Sequence, residues 1–523
     1  MKIRLLDFFF PRINSPSDEY SQKMRISVTV LVLSIFVFLF FQSVYVLEPK
    51  FFNLSSFVRY ERYPTILTFN TLLGPIFLSL GLTWLIKFIF LFRRGVSRIE
   101  NQVLQSNVSN RDSKLLLFIL NIIFVFMTVS IGYYGYNLSL ASIFLISLQI
   151  GFATLIVIIL DDILTSGWGY GNGFLIFSSG IILTNFIWNL FAIFPFADGI
   201  VETGGFTLPI GVFIAVVQVF LQFGIVEAFS TLFIRVEHPT NSIFSFLSTL
   251  ALVFIIYWLL SKENSKKHNH NEEYSKNNLD RNQKVASIDI ILITTFTLCF
   301  FTLLFILSEF LQSIIPGFII ADLLGQFDPE IMQPTSGIVY FLPLVNDSLF
   351  SLLLKGQYDQ IFTLVVQNII LMITLVLTFF IYNLSKGNYQ HQSPERMEAV
   401  SQFSAKTTIY QLIILVTLFN IIGTAIPSLT CVLIVAIIFF LRNEYSFSDV
   451  PILKYSFYTV LVGALGFFIL FFINIIETPL FTGLGGPLNI VINIVGLTSL
   501  YIILTIIMFK NRKNYQINKL KQI

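Results

Sequence analysis

The chain has 523 residues, of which 55% are hydrophobic, 16% aromatic and 12% charged, with a formal net charge of +3. So little charge excludes a water-soluble globule with a charged skin, and repeated apolar runs match the roughly 20 residues a helix needs to cross about 30 Å of hydrocarbon. The fold class is therefore an all-α polytopic membrane protein. Its two cysteines, Cys299 and Cys431, both sit inside apolar runs and support neither a disulfide framework nor a thiolate metal site.

The N-terminal segment, Met1 to Arg25, carries Lys2, Arg4, Arg12, Lys23 and Arg25 but no short apolar core followed by a small-residue cleavage site. No removable signal peptide is expected, and the first span serves as the insertion signal. Apolar patterning predicts spans over 24–47, 66–92, 115–135, 138–160, 174–195, 243–261, 287–314, 359–384, 407–424, 427–442, 452–476 and 487–510. The stretch 209–235 is apolar enough to be a thirteenth, and loop charge decides its status. Arg93, Arg94, Arg98, Arg111 and Lys114, the lysines and arginine between Lys262 and Lys284, and the basic residues after Lys510 all belong on the cytoplasmic side with the N-terminus. That holds if 209–235 does not cross but lies as a re-entrant or membrane-surface helix. Twelve crossings and cytoplasmic termini follow, with Asp322, Asp328, Glu330 and Asp347 outside.

The polar stretch 262–286, which includes SKKHNHNEEYSKNN, reads as a flexible cytoplasmic loop. Its His268 and His270 have no further ligands beside them, so no metal site is expected. Neither a Walker loop, an HExxH helix nor a nucleophile elbow occurs, and no cofactor or enzymatic activity is expected. Asp161 and Asp162 end the 138–160 span. An ionisable pair in a membrane is a functional candidate by default, but a position beside a cytoplasmic loop favours a structural role or helix-end solvation over a proton relay. Asp289, Glu309 and Glu477 raise the same question. Asn185 and Asn189, one turn apart, suit hydrogen bonding between helices.

Asp161-Asp162-Ile163-Leu164 leads into Gly167-Trp168-Gly169-Tyr170-Gly171-Asn172-Gly173, four glycines in seven residues between two apolar runs. This junction resembles that between the fourth and fifth spans of the SecY family, the channel-forming subunit of the general protein translocase. Thr184-Asn185-Phe186-Ile187-Trp188-Asn189-Leu190-Phe191 is similar to the fifth span of its archaeal and eukaryotic members. Leu73-Gly74-Pro75-Ile76-Phe77 resembles the start of the second helix, Gly337-Ile338-Val339-Tyr340-Phe341-Leu342 the segment before the eighth, and Gly485-Gly486-Pro487 the start of the last.

The resemblance implies a two-half helical bundle around a central pore. The halves are expected at 1–173, with spans one to four and an external plug-like segment within 48–64, and at 174–523, with the cytoplasmic loop 262–286 and an inserted hairpin 407–442. A constricting ring of apolar side chains is implied at Leu73, Phe77, Phe174, Ser178, Ile288, Ile291 and Ile490, where a narrow apolar throat gates by dewetting. Gly167, Gly169, Gly171 and Gly173 are implied as the hinge, because glycine tolerates backbone angles forbidden to other residues. Implied partners are a SecE-like brace subunit, a third small single-span subunit, the nascent or unfolded polypeptide substrate, membrane lipids, and a ribosome or motor ATPase. The implied location is the cell membrane, or the endoplasmic reticulum in a eukaryote.

Two departures bear on this. Ser448 of Ser446-Phe447-Ser448-Asp449-Val450-Pro451 stands where family members place an arginine, and a serine supplies no guanidinium fork for docking. Arg235-Val236-Glu237-His238-Pro239 is similar to the motif that follows the family's sixth helix, which competes with assigning that helix to 243–261. The alternative function is a secondary transporter or lipid-linked-substrate flippase, with broken helices binding a small substrate near the midplane.

Overall fold

Where the apolar runs are long and uninterrupted, the backbone has no partner but itself, and helix is the outcome. The computed structural model describes residues 22–41, 111–131, 138–171, 173–193, 208–235, 239–265, 275–327, 334–342, 348–390, 399–444 and 494–504, with a few isolated positions besides. Among these, six helical stretches are long and apolar enough to cross a membrane: Lys114–Ile131, Leu140–Trp168, Gly173–Phe191, Ile243–Ser261, Ser287–Ile314 and Tyr358–Tyr382. The chain is a multi-pass membrane protein. Each of the six coincides with an expected span. The expected spans 66–92, in large part, and 452–476 lie outside the described residues, as do the segment 48–64, His268, His270, Glu477 and Ser448.

The described chain forms two compact units, Met1–Arg59 with Leu67–Gly180 and Leu465–Ile523, and Tyr60–Ile66 with Ile181–Ala464. The first contains α1 (Gln22–Phe41), α2 (Arg111–Ile131), α3 (Leu140–Ile163) and the beginning of α4 (Gly173–Phe191). It also holds a short C-terminal apolar helix, Ile494–Leu504. Helices α2 and α3 form an antiparallel pair. Between them Asn121 donates to Thr154 Oγ1 at 2.5 Å, one of the buried polar contacts in the seam. Helix α3 is started by Ser139, whose hydroxyl accepts from the Ser142 N–H at 3.2 Å and so satisfies one of the four unpaired donors of the first turn.

The second unit holds the rest of α4, α5 (Val212–Phe223), α6 (Ile225–Leu232), α7 (Ile243–Ser265), α8 (Ser275–Ile314), the short α9 (Ile319–Leu324), α10 (Leu349–Lys355), α11 (Tyr358–Gln390), α12 (Ala399–Ile422) and α13 (Ser428–Glu444). A two-stranded ribbon pairs Gln326–Phe327 with Pro334–Ser336. Helix α8 is 40 residues long. Its first turns occupy 275–286, which the sequence suggested as loop: Lys, Arg and Gln are good helix formers, and the less favourable Asn is carried along once the apolar continuation supplies a nucleus. Helix α13 is the centre of this unit. It packs against α7, α8 and α12, and Cys431, Val432, Leu433, Val435, Ala436, Ile437, Phe439 and Phe440 are all buried. The hairpin α12–α13, expected as an addition to a ten-helix pattern, thus supplies the core against which its neighbours pack.

The stretch 209–235 is not one spanning helix. Gly224 takes φ 94°, and the chain turns back, so that Ala215 and Val219 of α5 pack with Ala228 and Leu232 of α6. The two ends of the segment meet. Arg235, fully buried, donates from Nη1 to Pro209 O at 3.1 Å, and Asn241 donates to Ile210 O at 3.1 Å. A segment that returns to its starting level contributes no net crossing, which is what the loop charges require.

Candidate functional site

The glycine-rich junction is built from the end of α3 outward. Leu164–Trp168 is a single π-helical turn in which Gly167 takes φ 94°, and Gly171 takes φ 73°. A glycine with positive φ is a common way to end a helix and turn the chain away. The other two glycines are required by proximity. A Cβ on Gly169 would stand 2.5 Å from Leu164 Cδ2 and 2.9 Å from Thr29 Oγ1, and one on Gly173 would stand 2.6 Å from Asp161 Oδ1 and 2.8 Å from Phe177 Cε2. The loop is pinned rather than slack. The Tyr170 N–H donates to Thr29 Oγ1 at 2.9 Å, tying it to α1, and the Gly173 N–H donates to Asp161 Oδ1 at 2.7 Å.

Asp161 therefore caps the start of α4, where the helix presents unpaired N–H groups and the positive end of its dipole. Its neighbour Asp162 forms a buried ion pair with Lys114 of α2. Both aspartates have structural partners, as their helix-end position suggested. Lys114 was counted in the sequence among the basic loop residues, and its pairing was overlooked. The signal was available: the N-terminal end of α2 and the C-terminal end of α3 must be neighbours in an antiparallel pair. Beyond Gly173, Phe177 stacks on Phe36 of α1 with ring centroids 3.9 Å apart, and Leu33 fills the space a side chain at Gly180 would need.

Of the ring positions, Phe174 and Ser178 lie one turn apart on α4 in the first unit, both buried, with Ser178 Oγ donating to Phe174 O at 2.5 Å. Ile288 is half-buried and Ile291 buried on α8 in the second unit. Leu73, Phe77 and Ile490 lie outside the described residues. Between Ile288 and Ile291, Asp289 accepts a hydrogen bond from the hydroxyl of Tyr382 on α11. Glu309 is buried farther along α8.

A second polar cluster escaped the sequence reading. The turn between α12 and α13, Gly423 to Pro427, is held by three side chains from two other helices. Asn189 of α4 donates to Ala425 O at 3.1 Å, Thr249 Oγ1 of α7 accepts from the Ala425 N–H at 2.8 Å, and Ser248 Oγ donates to Gly423 O. On the adjoining face Asn420 donates to Asn368 Oδ1 of α11 at 3.1 Å. Gly423, at φ 96°, has no room for a side chain, since its Cβ would fall 2.4 Å from that of Ser348. Among the described residues no group of three His, Cys, Asp or Glu side chains could hold a metal ion.

No protein-family model and no curated protein matches the sequence. Solved structures do. Over 86% of this chain and 100% of theirs, it superposes at a TM-score of 0.50 and 17% identity on a structure described as that of a protein-conducting channel. The same figures hold for a SecY protein whose plug domain is described as stabilising the closed state of the translocation channel and maintaining a membrane seal. The fold is SecY-like. Canine Sec61, from a ribosome–channel complex of the endoplasmic reticulum, gives the same coverage and TM-score at 16% identity. At such identities the likeness speaks for the SecY-like architecture.

Proposed function

We propose that the chain is the pore-forming subunit of a protein-conducting channel, passing secretory polypeptides across the membrane and releasing membrane segments into it. The observation that carries this reading is the SecY-like fold, matched over 86% of this chain and the whole length of the three channel structures named above. The work of the chain is then passage rather than catalysis. The two halves part at the junction 167–173, and Leu73, Phe77, Phe174, Ser178, Ile288, Ile291 and Ile490 form the throat. A yielding apolar constriction suits such a task, since it excludes water and ions at rest yet adapts to any passing side chain.

A SecE-like brace and a third single-span subunit complete the assembly, in a cell membrane or that of the endoplasmic reticulum. A ribosome or a motor ATPase supplies the drive. With Ser448 in the cytoplasmic loop, docking relies on other basic residues. The transporter reading draws on one observation, the polar cluster around the α12–α13 turn, but its groups bond to one another and to backbone rather than facing a vacancy.

The test is extraction of the tagged chain in mild detergent, followed by crosslinking of a stalled secretory chain bearing a photoreactive residue. A co-purifying single-span protein and crosslinks from the stalled chain to Phe174 or Ile291 are expected. Isolation of the chain alone in several detergents, with saturable uptake of a small solute by reconstituted vesicles, would replace the proposal by the transporter.

A further inference from the structure

Two of the crossing helices carry an exposed apolar stripe that does not stop where the span stops. On α8 the exposed Phe296, Phe300, Leu307 and Ile314 follow one another at intervals of four and seven residues, which sets them within about 40° around the helix. Past the end of α8 the chain turns at Gly317, with φ 80°, and Ile315 and Phe318 are exposed. Helix α9 then adds Ile319, 81% exposed, with Ile320 and Leu323. On α11 the exposed stripe of Ile369, Val365 and Phe362 runs back to Tyr358 at its first residue. Across Gly356, at φ 69°, helix α10 continues it with Phe350, Leu353 and Leu354.

Both short helices are held by one side and bare on the other. In α10 the three exposed side chains cover an arc of about 100°, and Ser351 and Leu352 are buried on the opposite arc. Its first turn is closed by Ser348 and Ser351, each hydroxyl accepting from the other's backbone N–H. In α9 Ala321 is buried opposite Ile319 and Leu323. Asp322, on the flank, is half-buried and accepts from Gln326 at 3.4 Å, and the exposed Ser313 ahead of the turn donates to Phe310 O at 2.8 Å.

The level of the two helices follows from length. The apolar stretches Ser287–Ile314 and Tyr358–Tyr382 hold 28 and 25 residues, about 42 and 37 Å, against roughly 30 Å of hydrocarbon. Helices α8 and α11 thus span the hydrocarbon without help from α9 or α10, and the chain leaves by one and returns by the other at the same surface. Tyr358, 69% exposed, suits that level, where tyrosine rings place an apolar body and a polar tip. Apolar side chains in an unbroken line with a lipid-facing stripe are not left to water there.

We propose that α9 and α10 form a ledge in the interface of one leaflet, their exposed Ile319, Leu323, Leu353 and Leu354 resting among the outermost acyl-chain carbons. The partner of this surface is lipid, because it continues the surface that α8 and α11 already present to lipid. The ledge fixes the level of both helices, which Tyr382 and Asp289 join again near their other ends. This placement stands independently of what passes through the protein.

Single nitroxide labels on the full chain test it, at Ile319→Cys, Leu323→Cys, Leu353→Cys and Leu354→Cys, with Ile369→Cys as a reference three turns into α11. Collisions with oxygen and with a water-soluble nickel chelate are measured in vesicles of phosphatidylcholine and phosphatidylglycerol. All five side chains are exposed, so a label displaces no packed neighbour, and Cys299 and Cys431 stay in place because both thiols are buried. The four ledge sites are expected to favour oxygen over the chelate several-fold, and less strongly than position 369. Preference for the chelate on either short helix would place that helix in water and overturn the proposal. Shielding from both reagents would mean that a protein covers the ledge, and a depth equal to that of position 369 would mean burial in hydrocarbon; either result overturns it too.

Discussion

Removing one partner of the Lys114–Asp162 pair should be far more harmful than removing both. The side chains are only 7% and 8% exposed, at adjoining ends of α2 and α3, so neither group retains bulk hydration when the other is lost. Breaking a buried ion pair from one side costs about 3–5 kcal/mol, whereas exchanging both members for apolar residues of similar volume is often neutral. Lys114→Ala and Asp162→Ala should each therefore cost about 3–5 kcal/mol, and Lys114→Met combined with Asp162→Leu should recover most of that. The two losses should also differ. A lysine near a helix end has a four-carbon stem with which to reach the interface, and an aspartate does not, so Lys114→Ala should be the worse. Heating each variant in one detergent and measuring the monodisperse fraction by gel filtration gives the comparison. If the single variants lie within about 0.5 kcal/mol of wild type, the level of an exposed pair, or if the double variant is no better than the worse single, the pair is not the buried unit described.

Gly173→Ala should displace either the Asp161 cap or the Phe177 ring, at a cost of about 1–3 kcal/mol. Asp161→Ala should cost about 1 kcal/mol by itself; a loss no larger than that of an exposed substitution would deny the cap. Arg235→Met should open the base of the α5–α6 hairpin and speed limited proteolysis between 233 and 242, because it removes the Nη1 that donates to Pro209 O and leaves that carbonyl buried; unchanged proteolysis would show that the base is held without it. If Phe77 and Phe174 belong to the throat, replacing both by glycine should make reconstituted vesicles leak ions at rest, read as loss of an imposed potential; an unchanged leak removes them from it.

What the sequence made legible was local. Hydropathy summed over about 20 residues finds spans because burial in lipid acts on each residue separately, and all six long described helices fall where it placed them. The glycines of the junction were equally plain, yet their reasons were not. Gly167 and Gly171 are positions of left-handed backbone, which glycine spacing can suggest, whereas Gly169 and Gly173 answer to Thr29 and Asp161, partners that no pattern within the loop reveals. The extension of α8 back to Ser275 was hidden by composition. A low-complexity polar tract reads as loop when taken alone, and becomes helix when an apolar helix propagates into it.

The α12–α13 turn shows why the polar cluster lay beyond the reach of pattern. The turn interrupts two helices of 24 and 17 residues, and its backbone from Gly423 to Ile426 is buried. Buried non-helical backbone in a membrane protein is tolerated only where protein satisfies its N–H and C=O groups. Asn189, Ser248 and Thr249 do so from helices distant in sequence, the last two contributing hydroxyls that a hydropathy reading counts as neutral. A single substitution there should act through stranded backbone rather than lost side-chain contacts. Thr249→Val keeps the volume but leaves the Ala425 N–H its longer bond to Ser245 O, at 3.2 Å, as remaining partner. That predicts a modest loss of about 1 kcal/mol, whereas Asn189→Leu with Thr249→Val should exceed the sum of its parts, because both act on one peptide segment. Strict additivity in the thermal assay would mean that the turn is held by packing, not by these bonds.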